Sequence, residues 1–170
     1  MIHASEPFDS MGELLLLRHG VAEERGGATP EPLRALTPAG RHRTRAVTER
    51  LAALNLFADE LISSPLVRAR QTAEIAMEAG LAPTCRIDEA LAPGGDPEPL
   101  VHSAKHRRLM LVGHEPDLGM LAAQVLGARA GAIRLKKAGL AVIRLGRRPS
   151  LRLLLVPAVL LAAASATAPD

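Results

Sequence analysis

Leu14-Leu15-Leu16-Leu17-Arg18-His19-Gly20 decides how this chain is read. Four consecutive leucines suit a short strand buried on both faces. The run then stops on an arginine, a histidine and a glycine. A cation, a nitrogen nucleophile and a flexible backbone position therefore stand at the carboxyl end of a strand, where open α/β sheets gather ligands. The combination suits phosphate. Arginine offers a planar fork to two oxygens, and a neutral imidazole can attack phosphorus.

Outward from that stretch, helices and strands alternate. Thr37-Pro38 reads as an N-cap followed by proline at the first helical position, opening a helix to about Leu54 with Val47, Leu51 and Leu54 at helical spacing. Glu60 to Ser63 reads as a second strand. Ser64-Pro65 repeats the cap-and-proline signal and opens a helix from Leu66 to about Ala79, ended by Gly80. Gly94-Gly95-Asp96-Pro97 is turn chemistry, and Glu98 to Ser103 a helical turn. Leu109 to Val112 is a third clear strand, ending on Gly113-His114, with a helix from Pro116 to Leu126 behind it. Leu140 to Leu145 and Leu151 to Val156 read as two late strands joined as a hairpin, the second a final core strand before a short tail helix. The expected fold is a three-layer α/β/α sandwich around a mostly parallel, mixed sheet. It comprises an N-terminal arm over 1–12, a single domain over 13–160 and a tail over 161–170.

Composition bounds the rest. With 170 residues and 48% hydrophobic side chains, the chain can build one sizeable core. Two Phe and no Trp or Tyr leave that core to aliphatic residues, and argue against a base-stacking platform for nucleic acid. The net charge of +3 is mild. A single cysteine, Cys85, gives neither a disulfide framework nor a cysteine metal cage, and fits a cytoplasmic protein; it reads as a buried or strand residue. Met1 to Met11 lacks the pattern of a signal peptide. Leu151 to Ala166 is interrupted by Arg152 and Pro157, short of the ~20 apolar residues a membrane span needs. No nucleic-acid or membrane partner is expected.

Three strand ends carry chemistry: Arg18 and His19 on the first, Ser63-Ser64-Pro65 with Arg68 one turn later on the second, and His114 on the third. If those strands are neighbours, two arginines and two histidines meet around one point. A transferring phosphoryl group spreads negative charge over its equatorial oxygens, so catalysis is mostly positioning plus fixed positive charge. Arg18 and Arg68 would clamp the oxygens in bidentate fashion. His19, on the rigid strand end before Gly20, is assigned the attack. A cationic neighbourhood depresses its pKa and keeps it neutral. His114 is expected to serve as a protonated electrostatic donor, a role whose loss typically costs ~10²–10³ in rate.

Other groups carry less. His102 and His106 lie four apart but lack further ligands for a metal. Arg41, His42, Arg43 and Arg45 read as a solvated helix face, with Arg41 or Arg45 placed to guide an acidic partner. No P-loop and no dinucleotide fingerprint occur.

Taken together, Leu17-Arg18-His19-Gly20, Leu36-Thr37-Pro38-Ala39-Gly40, the run Ser63 to Thr72 and Val112-Gly113-His114-Glu115-Pro116 resemble the histidine phosphatase superfamily. The absence of long insertions and the turn Leu91 to Asp96 resemble its compact, SixA-like phosphohistidine phosphatase branch. The resemblance implies a phosphoglycerate mutase-like fold and a covalent phosphohistidine at His19. It also implies a pocket of Arg18, Arg68 and His114, bordered by Gly20, that holds phosphate or sulfate. No cofactor or metal is implied. The implied substrate is a phosphohistidine protein in signal transduction or transport. Larger members carry a carboxylic acid that protonates the leaving group; Glu89 and Asp96 lie in the corresponding region, outside any diagnostic motif. An imidazole leaving group, with a pKa near ~6.5, needs that proton less than an alcohol does. Two alternatives remain: a phosphatase for small phosphate monoesters, and a non-catalytic module that binds phosphorylated partners.

Overall fold

The computed structural model describes residues 12–104 and 107–165. Six strands form one sheet: β1 (Glu13–Arg18), β2 (Glu60–Ser63), β3 (Cys85–Ile87), β4 (Arg108–Gly113), β5 (Leu140–Arg144) and β6 (Ser150–Leu155). Their spatial order is β3-β2-β4-β1-β5-β6. The first four run parallel, and β5 and β6 antiparallel to their neighbours. The sheet is mixed because the late hairpin folds back beside β1. The three chemistry-bearing strands β2, β4 and β1 are consecutive, as the site requires.

The leucine run explains the layering. Alternate residues of a strand face opposite sides. Leu15 and Leu17 pack with α1 (Pro38–Ala53), α2 (Val67–Glu78) and α5 (Pro157–Ser165) on one face. Leu14 and Leu16 pack with α3 (Glu98–Ser103) and α4 (Asp117–Leu126) on the other. All four leucines are fully buried, each contributing about 1.5–3 kcal/mol of transfer free energy. The result is the expected three-layer sandwich.

Local signals mostly act where the sequence puts them. The Thr37 hydroxyl accepts from Gly40 N at 2.9 Å, with Pro38 opening α1. Gly80 adopts φ +77° after α2, and Gly127 adopts φ +64° after α4, the left-handed geometry that ends a helix.

Three points differ from the sequence reading. Leu66, not Ser64, is the cap of α2, and it makes no side-chain capping bond; the Ser64 hydroxyl accepts from Leu66 N at 3.3 Å and also meets His114. A short third strand, Cys85–Ile87, was not legible, since three residues pairing only with β2 carry no periodic pattern. Cys85 lies in it, a strand residue as expected, and is exposed. The late strand β6 is a sheet edge rather than a core strand: Leu151, Leu153 and Leu154 are 38–41% exposed. Among the described residues it pairs with β5 alone, so its apolar run lacks the cover that flanking strands and helices give β1. Residues 1–11 of the expected arm and 166–170 of the expected tail lie outside the described residues, as does His106. Among the described residues, no helix is long and apolar enough to cross a membrane.

Candidate active site

Register brings the strand ends together. Leu17 and Ser63 both pair with Val112, and Arg18 pairs with Gly113. One step further along the strands come His19, Ser64 and His114. Two backbone bonds extend the ladders to that level: His19 N donates to Gly113 O at 3.1 Å, and Ser64 N to Val112 O at 2.9 Å. The imidazoles of His19 and His114 are 5.1 Å apart between ring centroids. Arg68 enters from the first turn of α2, 2% exposed, and its Nε–H donates to His19 Nε2 at 3.3 Å. The four side chains border one hollow of about 580 Å³.

The tautomer of His19 follows from its partners. Its Nδ1 lies 2.7 Å from the carbonyl oxygen of Gly20, which can only accept. The proton is therefore on Nδ1, and Nε2 keeps its lone pair toward Arg68. That nitrogen is the one placed to attack an electrophile in the hollow. Gly20 allows this close approach, because a Cβ there would collide with the Thr44 hydroxyl and press on Leu36. Thr72 ties the parts together: it accepts from Gly20 N at 3.1 Å and donates to Arg68 O at 2.8 Å. Gln71 Oε1 accepts from Leu36 N at 2.7 Å, joining α2 to the loop before α1.

Arg18 NH1 donates to Leu135 O at 2.8 Å, so its guanidinium is braced from the segment before β5. The ion pairs with Glu13 or Glu23 that Arg18 alone would suggest are not made; Glu13 pairs with Arg108, and Glu115 is the carboxylate whose field acts on Arg18. His114 Nε2 lies 2.7 Å from the Ser64 hydroxyl. Arg18 Nε and His114 Nδ1 are buried without a protein partner. Orphaned polar atoms are rare in a folded interior, and two of them on one hollow fit a bound anion.

Burial and neighbouring charge hold both rings neutral. Burial, then the charges of His114, Arg68 and Arg18, push His19 down to about 3, against the contrary effect of its bond to Gly20. Burial and then Arg68 push His114 down to about 4, with Glu31 opposing. The expectation of a protonated His114 is thus corrected: burial and two neighbouring arginines disfavour a third cation there. As a neutral ring it still offers one N–H donor.

Glu89 and Asp96 are not brought to the hollow. Both are exposed. Glu89 opens a one-turn 3-10 segment, and Asp96 Oδ1 accepts from Glu98 N at 3.1 Å. Their loop presents Pro93 instead, while Glu23, Glu24 and Glu115 supply the carboxylates that border the site. Glu115 is already occupied, accepting from Leu135 N at 3.1 Å. Sequence reasoning missed Glu31 as well, whose carboxylate lies 3.0 Å from Arg68 NH2. It sits in a Gly- and Pro-rich loop outside any motif, so only the fold could reveal it. His102 pairs with Glu98 at 3.3 Å across one helical turn.

Known proteins share this arrangement of elements. Residues 14–92 match the histidine phosphatase superfamily (branch 1). An uncharacterized protein of Picosynechococcus sp. is 39% identical over 141 residues, covering 79% of this chain and 86% of its own. Among solved structures, the protein histidine phosphatase SixA complexed with tungstate superposes with a TM-score of 0.75 at 21% identity, over 87% of this chain and 99% of that one. The alpha-ribazole phosphatase from Shigella flexneri gives 0.67 at 17% identity, over 85% and 96%. At such identities these two likenesses are ones of fold. The sequence match and the relative go further: the chain belongs to the histidine phosphatase superfamily.

Proposed function

We propose that the protein hydrolyses phosphohistidine on a phosphoprotein, without a metal, through a phosphohistidine intermediate on His19. The observation that carries the reading is the His19 ring. Its Nδ1 proton is committed to Gly20 O, and its Nε2 lone pair faces Arg68 beside His114. His19 Nε2 attacks phosphorus in line, forming an N–P bond as the bond to the substrate imidazole breaks. Water then attacks from the vacated side, releasing phosphate and restoring the free ring. Arg18, Arg68 and His114 hold the equatorial oxygens in both steps. The cations come from side chains, so positioning needs no ion. As negative charge enters, the rings' tendency to stay neutral weakens, and His114 gains a reason to bind a proton.

The leaving group favours this substrate class. Glu89 and Asp96 are off the pocket, and Glu115 is engaged with backbone. With a proton on its other ring nitrogen, the substrate imidazole departs as a neutral ring and takes the N–P electron pair without help from an acid. Glu23, like Glu115, accepts from backbone; the pocket-bordering Glu24 favours the second reading, a phosphatase for small phosphate monoesters, since its carboxyl could protonate an alkoxide. The test compares wild type with His19→Ala on a phosphohistidine protein and on an aryl phosphate. Loss of turnover with His19→Ala, and a wild-type preference for the phosphoprotein, is expected. Unchanged turnover on both substrates would remove the mechanism. A preference for monoesters would move the substrate assignment to the second reading.

A further inference from the structure

Arg68 spends its donors unequally. A guanidinium carries five N–H groups in a rigid fork. One on NH1 goes to the main-chain oxygen of Glu31 at 2.9 Å, and one on NH2 goes to the Glu31 carboxylate at 3.0 Å. Glu31 thus holds the outer edge of the fork, between the two terminal nitrogens. The Nε–H, on the other side of the fork, meets His19 Nε2 at the hollow.

The carboxylate is itself held. Arg34 NH1 lies 3.0 Å from its other oxygen, and Arg34 is 7% exposed. Arg25 approaches within 3.6 Å. A flexible side chain at residue 31 is therefore fixed from two directions before it meets Arg68. Arginine carries large rotamer entropy, and a buried one needs such an anchor to present a single edge.

We propose that Glu31 is the positioning residue of the phosphate clamp: by occupying the outer edge of Arg68, it presents the Nε–NH2 edge to the phosphoryl group beside His19. The proposal rests on the reading of the hollow as a phosphoryl-transfer pocket. It is not a plug. The edge that Glu31 takes is the one turned away from His19, so carboxylate and phosphoryl group bind the same arginine together. Removing the carboxylate has two opposed effects. The clamp loses its geometry, which matters most in the transition state. The pocket also gains positive charge, which favours any anion in the ground state. Turnover falls while ground-state binding is kept.

Kinetics on an aryl phosphate read this split. Glu31→Ala is expected to lower kcat by roughly tenfold or more with KM within about threefold of wild type. Glu31→Gln, whose amide oxygen still accepts from NH2, recovers most of that loss. A Glu31→Ala kcat equal to wild type, a defect carried by KM, or a Gln variant no better than Ala would each overturn the proposal. A second measurement uses the wild-type protein and needs no turnover: the ¹⁵N spectrum of the Arg68 guanidinium with and without orthophosphate. Hindered rotation of its terminal nitrogens in both states is expected, with Nε–H shifted by phosphate. Freely rotating terminal nitrogens would overturn the proposal. Hindered rotation in a protein inactive on every phosphate compound would sink the phosphatase reading alone.

Discussion

The Nε–H of Arg68 donates to Nε2 of His19 across 3.3 Å, joining a helix that follows β2 to the end of β1. This bond caps the lone pair proposed to attack. A phosphoryl group entering the hollow must take over that donor, so one motion both uncovers the nucleophile and clamps an equatorial oxygen. The two residues stand 49 positions apart in sequence, and the parallel register of three adjacent strands is what makes them neighbours.

Ser64 is expected to act through His114. Its hydroxyl fixes the ring from 2.7 Å. Ser64→Ala leaves Nε2 without that partner, and kcat should fall about tenfold, which corresponds to roughly 1.4 kcal/mol. Steady-state kinetics with a circular-dichroism check on folding decide this. Wild-type turnover in the variant would mean that the hydroxyl does not orient the ring.

Stability should depend on pH through the two buried rings. Both fold with pKa values below the free value of 6.5, at about 3 for His19 and about 4 for His114. Above 6.5 neither state binds the proton, and their contribution is intact. Below it the unfolded chain takes up protons that the folded chain refuses, so stability falls as pH drops from 6.5 toward those folded values. Urea midpoints across this window should decline. The decline should be shallower in His114→Gln, and an identical slope in that variant would contradict the assignment.

Gly20 tolerates no side chain. Gly20→Ala would drive a methyl group into Thr44 and against Leu36. Overpacking of this kind costs about 1–3 kcal/mol, and here it also displaces His19. Thermal unfolding should show the loss together with a drop in kcat. A fully active, equally stable variant would show that the loop has room.

Apolar residues on the two sides of the sheet should respond differently. Leu16→Ala empties a fully buried site and should cost about 2–5 kcal/mol. Leu153→Lys, on the 38% exposed edge strand, should cost less than about 1 kcal/mol. Chemical denaturation of both variants checks this; equal losses would mean that β6 is covered in solution.

Much of this was legible in the sequence, because the decisive signals are local. Thr37-Pro38 fixes a helix start by its own hydrogen bond, and Leu14 to Leu17 can be buried only in a sheet covered on both faces. Arg18, His19, Arg68 and His114 stand at strand ends or one turn beyond, so the parallel order places them. The same local logic failed where a partner lies far along the chain. The Ser64 hydroxyl does accept from Leu66 N at the helix start, but its second partner, His114, lies 50 positions away and is visible only in the fold. Leu151 to Val156 looks like a core strand until the sheet is seen to end there. Glu31 carries no pattern, since its value lies in meeting Arg68 from a separate loop. Glu89 and Asp96 lie in the region where larger members carry their acid, but both are exposed, and their loop brings Pro93 to the hollow instead.

The most direct test traps the intermediate. Wild-type protein is mixed with a ³²P-labelled phosphohistidine protein, quenched in alkali within one turnover and mapped. The account predicts an acid-labile, base-stable label on His19 that is absent from His19→Ala. Label on another residue of this chain, or full turnover with no label on this chain at any time, would contradict it.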